Sequence, residues 1–273
     1  MLSSSSFPPE LAGGDRQRLV FFENFSGPFL DRSRWNVLQK GVPFNNELQA
    51  YVDSPLTVSL QDEGTGGNRV LALTPRYAPG YRTVEGHGCD FLSGRIDTRG
   101  RFQFVHGTAS ARIRLCPGAG LWQAWWLLGV NEYPHHGEVD IIEYVGEQDW
   151  ASLAAHGSGF YLDSPFVQKL FFAPGQSIAD WHTYSVDCTP ERLVFRIDDR
   201  VQYELTRKMV ERVGKWSFDE EKFLVLNLAV GGNYPYYTNK AETPYRGLPA
   251  DTLALIREGR CAMLVDWVKV SEI

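Results

Sequence analysis

Gly137-Glu138-Val139-Asp140-Ile141-Ile142-Glu143-Tyr144 sets three carboxylates among β-branched apolar residues. Valine and isoleucine between acids favour an extended strand, whose side chains alternate between two faces with a period of two. Glu138 and Asp140 then share one face, while Val139 and Ile141 take the other, the natural one to bury. In a regular strand Glu143 would fall on the buried face, where an unpaired charge costs several kcal/mol or is neutralised by protonation. One extra residue, inserted as a β-bulge around Ile141 and Ile142, corrects the parity and turns all three acids to one groove. Taken alone, the pattern also suits a solvated strand face or a calcium-binding acidic cluster.

Just upstream lies Gly120-Leu121-Trp122-Gln123-Ala124-Trp125-Trp126-Leu127-Leu128-Gly129. On a strand, Trp122, Ala124 and Trp126 share one face, and Gln123, Trp125 and Leu127 share the other. With the acids on a neighbouring strand, the first face is read as groove, so two indoles lie in it while Trp125 packs in the core. Flat indole faces suit the apolar faces of sugar rings. Further strand signals recur at residues 19–22, 56–60, 69–74, 94–98, 109–115, 184–187, 192–197, 201–205, 223–230 and 262–270. Residues 64–68 read as a turn, Asp198-Asp199 reads as a tight turn, and the only helix candidate is short, near residues 248–258. Many short strands with turn signals between them predict an all-β fold, a sandwich or jelly roll of antiparallel sheets. Residues 1–17 read as a flexible lead-in and residues 18–273 as one domain.

The 273 residues carry a net charge of −6, which argues against nucleic acid, since affinity for phosphate backbones comes mainly from Lys and Arg. No apolar run approaches the ~18 residues of a membrane-spanning helix, the longest being residues 124–130 and 223–230. The hydrophobic content of 43% supports a sizeable core, and the aromatic content of 13% exceeds what packing alone requires, which points to a ring-binding surface. Cys89, Cys116, Cys188 and Cys261 fit no metal-binding spacing, and free thiols and disulfides in any of three full pairings stay open. The Ser- and Pro-rich start, residues 1–9, has neither the basic nor the apolar segment of a secretory signal. With the bulge, Glu138 and Glu143 stand about four strand steps apart, roughly 13 Å between backbones at ~3.3 Å a step. Side chains leaning together close most of that gap, approaching the ~5–5.5 Å between carboxyls of a retaining glycosidase.

These residues resemble glycoside hydrolase family 16, and within it the laminarinase-like endo-1,3-β-glucanases. Glu138-Val139-Asp140-Ile141-Ile142-Glu143, preceded by the Trp122–Trp126 segment, carries most of the resemblance. The extra residue is the bulged form of that family's motif; lichenases and xyloglucan transglycosylases are similar but carry E-x-D-x-E. Weaker matches follow in order: Asn45-Asn46-Glu47-Leu48-Gln49-Ala50-Tyr51, Ser93-Gly94-Arg95-Ile96, His156-Gly157-Ser158-Gly159, His182-Thr183-Tyr184-Ser185-Val186, Asn227-Leu228-Ala229-Val230-Gly231-Gly232 and Val265-Asp266-Trp267-Val268. The resemblance implies a curved β-jelly roll with a concave cleft for a β-glucan and retention of anomeric configuration. It implies Glu138 as nucleophile, Glu143 as general acid/base and Asp140 tuning Glu138. Trp122 and Trp126 would form the floor under the sugars, Asn46 and Arg95 would bond hydroxyls, and His156 would lie near the acid/base. Asn46 as a turn residue, Arg95 as an ion-pair partner and His156 as a structural hydrogen bonder stay open.

The resemblance further implies no cofactor for catalysis but a structural calcium ion, with Glu23 and Asp266 as side-chain ligands. The chain would be a secreted monomer whose partner is a polysaccharide, secretion being inferred from the substrate. Two departures border the cleft: Phe160-Tyr161-Leu162-Asp163 stands where the family often has Tyr-Ser-Gly-Gly, and Tyr234-Pro235-Tyr236-Tyr237 replaces Trp-Pro-Gly. They leave open action on agarose or another galactan, on mixed-linkage glucan, or by transglycosylation. A non-catalytic glucan-recognition module on the same fold would lack the acids.

Overall fold

The computed structural model describes residues 18–41, 44–62, 69–132, 135–147, 150–172 and 175–273. The expected lead-in at residues 1–17 and turn at residues 64–68 lie outside them.

In chain order the strands are β1 (Leu19–Glu23), β2 (Asn36–Val37), β3 (Gln49–Tyr51), β4 (Val58–Asp62), β5 (Arg69–Leu73) and β6 (Arg76–Arg82). There follow β7 (Gly88–Ser93), β8 (Arg95–Asp97), β9 (Gly107–Arg114), β10 (Leu121–Gly129), β11 (Glu138–Tyr144) and β12 (Trp150–His156). The rest are β13 (Val167–Phe171), β14 (Trp181–Cys188), β15 (Arg192–Ile197), β16 (Arg200–Thr206), β17 (Lys222–Val230) and β18 (Met263–Ser271). Three short helices, α1 (Arg207–Val210), α2 (Asn233–Asn239) and α3 (Ala250–Arg257), complete the described elements.

One sheet runs β13-β12-β11-β10-β17-β8-β2; a second runs β16-β15-β14-β9-β18-β5-β4, with β1 also on β18; β3-β7-β6 form a third, small one. Within the two large sheets every strand pair is antiparallel. The expected all-β jelly roll is the fold observed. Its core lies between the large sheets, where Trp125, Leu127, Ile142 and Leu226 from one meet Ala111, Tyr184, Phe195 and Val268 from the other.

All nine residues of β17 are buried, although a strand has only one core-facing side. Leu224, Leu226, Leu228 and Val230 belong to the core, so Phe223, Val225, Asn227 and Ala229 must be covered from the opposite side. That cover, from the segments over β17, makes a wall beside the outer face of β10 and β11. The expected strands at residues 192–197, 201–205 and 223–230 and the helix near residues 248–258 are found as β15, β16, β17 and α3. Asp198 and Asp199 make the tight turn between β15 and β16, with φ of 48° and 64°. The edge pieces β2 and β13, the small sheet and α2 had no such signal.

The four cysteines are free thiols. The Cys116 thiol, just after β9, is lowered to about 7 chiefly by the thiol of Cys261, just before β18. Burial pushes Cys188 up to about 11.

Candidate active site

The pairing of β10 with β11 shows how the three acids come together. Leu128 lies opposite Glu138, Leu127 opposite Val139 and Trp126 opposite Asp140, but Trp125 lies opposite Ile142 and Ala124 opposite Glu143. Ile141 is thus the extra residue. The register with β12 breaks at the same place, between Asp140 and Glu143. Ile141 and Ile142 are both in the core, 2% and 0% exposed, together with Val139 and Tyr144. Glu138, Asp140 and Glu143 therefore all turn to the outer face. Gly137 lets the strand start where it does: a Cβ there would stand 2.3 Å from the carbonyl of Ser217.

On β10 the faces are those expected. Trp125 is fully buried in the core, whereas Trp122 and Trp126 are partly exposed on the face shared with the acids. The indole N–H of Trp122 donates to Glu143 Oε1 at 2.9 Å. That of Trp126 donates to Asn227 Oδ1 at 2.7 Å, and Asn227 Nδ2 donates to the Tyr51 hydroxyl at 3.2 Å. Trp126 thereby has a fixed ring plane, capped by the Arg95 guanidinium 4.8 Å from its centroid. Among the described residues, the buried Arg95 Nε has no hydrogen-bond partner.

The electrostatics follow from burial. Glu143 is pushed up to about 7, chiefly by desolvation and further by the negative charge of Glu138, against the pull of the Trp122 N–H. Asp140, 4% exposed, is raised well above the usual carboxylate range by desolvation and by both glutamates. Its nearest basic group is His156, with Nε2 3.4 Å from Asp140 Oδ2. Polar atoms of Glu138, Asp140 and His156 all lie within 4.8 Å of one another. Glu138 accepts a hydrogen bond from the Tyr161 hydroxyl at 2.6 Å. The site thus holds a carboxylate with a donor aimed at it and, on the same face, a carboxyl that stays protonated up to near neutrality. That division suits nucleophilic attack at one atom and proton transfer at its neighbour.

Of the other residues singled out in the sequence, Asn46 lies at the exposed rim, in a left-handed turn with φ of 56°, bonded through Nδ2 to Asn233 Oδ1 at 3.1 Å. Glu23 and Asp266 are on β1 and β18, in the other large sheet. Glu23 Oε1 accepts from the Phe25 N–H at 2.8 Å with Arg34 3.7 Å from its other oxygen, and Asp266 Oδ2 accepts from Arg112 at 2.6 Å. Each carboxylate is thus answered by a guanidinium, and a cation bound there would compete with Arg34 and Arg112.

Four site residues were given no role of their own in the sequence. Glu47, pushed up to about 7 by burial, sits with Gln49 Nε2 2.7 Å from Oε2 and with Arg95 and Tyr51 in its field. Tyr234, at the start of α2, packs edge-on against Trp122 at 5.3 Å and hydrogen-bonds Ser152 at 2.9 Å. Gly232, with φ of 94°, turns the chain from β17 to bring it there. Tyr161 reaches Glu138 through its hydroxyl, and His136 meets that hydroxyl. Only the departures at Tyr161 and Tyr234 hinted at them.

The family model for glycosyl hydrolases family 16 matches residues 48–243. The chain belongs to that family. It is 27% identical over 248 residues to glucan endo-1,3-beta-glucosidase A1 of Niallia circulans, an alignment covering 83% of this chain and 35% of that protein. It is 30% identical over 203 residues to a glucan endo-1,3-beta-glucosidase of Cryptopygus antarcticus, covering 70% of this chain and 72% of that one. The endo-beta-1,3-glucanase of Pyrococcus furiosus superposes with a TM-score of 0.81 at 25% identity, covering 97% of this chain and 98% of that structure. This family 16 chain is a glycoside hydrolase. Among its described residues, no helix is long and apolar enough to cross a membrane.

Proposed function

We propose that the protein is a retaining endo-hydrolase of β-1,3-glucan that works by double displacement. The reading rests on one observation: a single-residue bulge turns Glu138, Asp140 and Glu143 to one face, with Glu143 alone of the two glutamates bonded by Trp122 and raised to about 7. Glu138 attacks the anomeric carbon while protonated Glu143 gives its proton to the departing glycosidic oxygen. Glu143, now ionised, takes a proton from water, which attacks the same carbon and returns the bonding pair to Glu138. Buried Asp140 between them stays neutral, so that a second negative charge does not oppose the ionised Glu138. Trp126, held by Asn227 and Arg95, offers a flat apolar face beside the acids, and the relatives' names support β-1,3-glucan as the chain bound there.

The test is a digest of laminarin, lichenan, agarose and xyloglucan with the first-formed anomer read by NMR. Fast release from laminarin with β-configured reducing ends is expected. An α-configured first product would remove the nucleophile role of Glu138, and preference for agarose would remove the substrate. The proposal includes action outside the cell, since a polymer does not cross a membrane, and a monomeric enzyme. It also includes a structural calcium ion at Glu23 and Asp266, which would have to take both carboxylates from their arginines. A Tm raised by calcium and lowered by a chelator would support that ion.

A further inference from the structure

The two large sheets supply most of the groove, but the group that touches Glu138 comes from elsewhere. Tyr161 lies on the connection between β12 and β13, just after Gly159, which has φ of 95°. Its single hydroxyl hydrogen goes to Glu138 Oε2 at 2.6 Å. The same oxygen stands 3.0 Å from His136 Nε2, the two rings edge to face with centroids 4.9 Å apart. With its hydrogen already committed, the phenol can only accept there, so His136 Nε2 carries a hydrogen and donates.

The backbone of the same residue acts on a second group. Its carbonyl accepts from His156 Nδ1 at 2.7 Å, which places that imidazole's hydrogen on Nδ1. The ring's other nitrogen, Nε2, faces Asp140 Oδ2 at 3.4 Å. The residues around Glu138 are therefore Asp140 on its own strand with Glu143 beyond, His156 on β12, His136 ahead of β11, and Tyr161.

We propose that Tyr161 is a positioning residue that ties down Oε2 of Glu138, leaves Oε1 free to attack, and aids the second half of the reaction most. The proposal rests on Glu138 being the nucleophile. In the first half the carboxylate spends its charge in a bond to the anomeric carbon, and the hydrogen bond from Tyr161 weakens. In the second half that bond breaks, the electron pair returns to the carboxylate, and the hydrogen bond strengthens as the charge builds. A donor whose bond tightens in the transition state accelerates that step. A hydrogen bond to a charged group is strong enough for a change of roughly ten- to hundredfold.

The test is Tyr161→Phe, assayed on an aryl β-1,3-oligoglucoside with a good leaving group, for which the second step limits turnover. Expected are a ten- to hundredfold fall in kcat, a parallel fall in KM as the glycosyl-enzyme accumulates, and that adduct seen by intact-protein mass. The acidic limb of kcat/KM moves to higher pH, because the ionised carboxylate has lost a donor. A merely structural role would lower kcat without the drop in KM or the adduct. Kinetics within twofold of wild type, or no adduct, would overturn the proposal. Replacing Tyr161 by 3-fluorotyrosine, which keeps the ring and sharpens the donor, tests the same bond without deleting it; a kcat that fails to respond also overturns it. Glu138→Ala supplied with azide separates the two readings. An α-glycosyl azide upholds the nucleophile whatever Tyr161 does, and its absence removes the nucleophile itself.

Discussion

The two large sheets treat their carboxylates in opposite ways. In the sheet that carries β18, Asp266 faces Arg112 at 2.6 Å and Asp187 faces Arg196 at 2.5 Å. In the sheet that carries β11, Asp140 has only His156 within ion-pair reach among the described residues, and burial pushes both Asp140 and Glu143 up. Both sheets use a one-residue irregularity to aim an acid, at Asp266 between Val265 and Trp267 and at Ile141 in β11. What differs is the partner that waits on the other side. A guanidinium makes a carboxylate structural, and its absence leaves the carboxyl free to exchange a proton or attack.

Breaking the contrast at its strongest point means replacing the groove acids. Glu138→Ala and Glu143→Gln are each expected to lower kcat/KM on laminarin by 10²–10⁴ or more. Arg112→Met or Arg196→Met, which unpair the acids of the other sheet, should leave it within about twofold. Reducing-sugar release measures both, and equal losses in the two sheets would erase the distinction. Next in size, Asp140→Asn should lower kcat about ten- to hundredfold while Tm at pH 7 rises, because a group that resists ionisation is replaced by one that cannot ionise.

A pH series sharpens the contrast further. The kcat/KM of the wild type should fall as pH rises through about 7, where Glu143 loses its proton. Stability should move the same way. The folded-state value of Glu143 lies above its ordinary 4.5, so the unfolded chain releases the proton first, and stability present below pH 4.5 is lost as pH climbs toward 7. Because Glu143 keeps some contact with solvent, about 1–2 kcal/mol is at stake, which Glu143→Gln should abolish in a Tm-versus-pH plot. Glu47, also raised to about 7 by burial, adds a slope of the same sign. The smallest effect is on the guanidinium side. Arg196→Met should lower Tm by about 2–4 °C, as expected for losing a half-buried ion pair worth about 1 kcal/mol.

The acids were legible because strand parity is arithmetic: with Val139 and Ile141 committed to the core, five residues from Glu138 to Glu143 demand a bulge. The indole faces of Trp122, Trp125 and Trp126 followed from the same count. Tyr161 was not legible as a partner of Glu138, since it sits on a connection whose path depends on turns at Gly157 and Gly159, and no period links it to residue 138. Tyr234 hides for a similar reason, carried inward by a helix of seven residues that opens on Gly232 and contains Pro235. Glu47 reads locally like any loop glutamate. The groups that act on it, Gln49, Tyr51 and Arg95, include one on another strand, Arg95.

The irregularity at Ile141 also marks where β11 can change length without changing the face its acids take. Removing that one residue would leave Glu138, Asp140 and the last glutamate in phase on a regular strand, still opposite Leu128, Trp126 and Ala124. Loss of a residue at Val139 instead would carry Asp140 through to the packed layer. A strand built this way has one position at which a residue can be lost without carrying its acids to the packed layer.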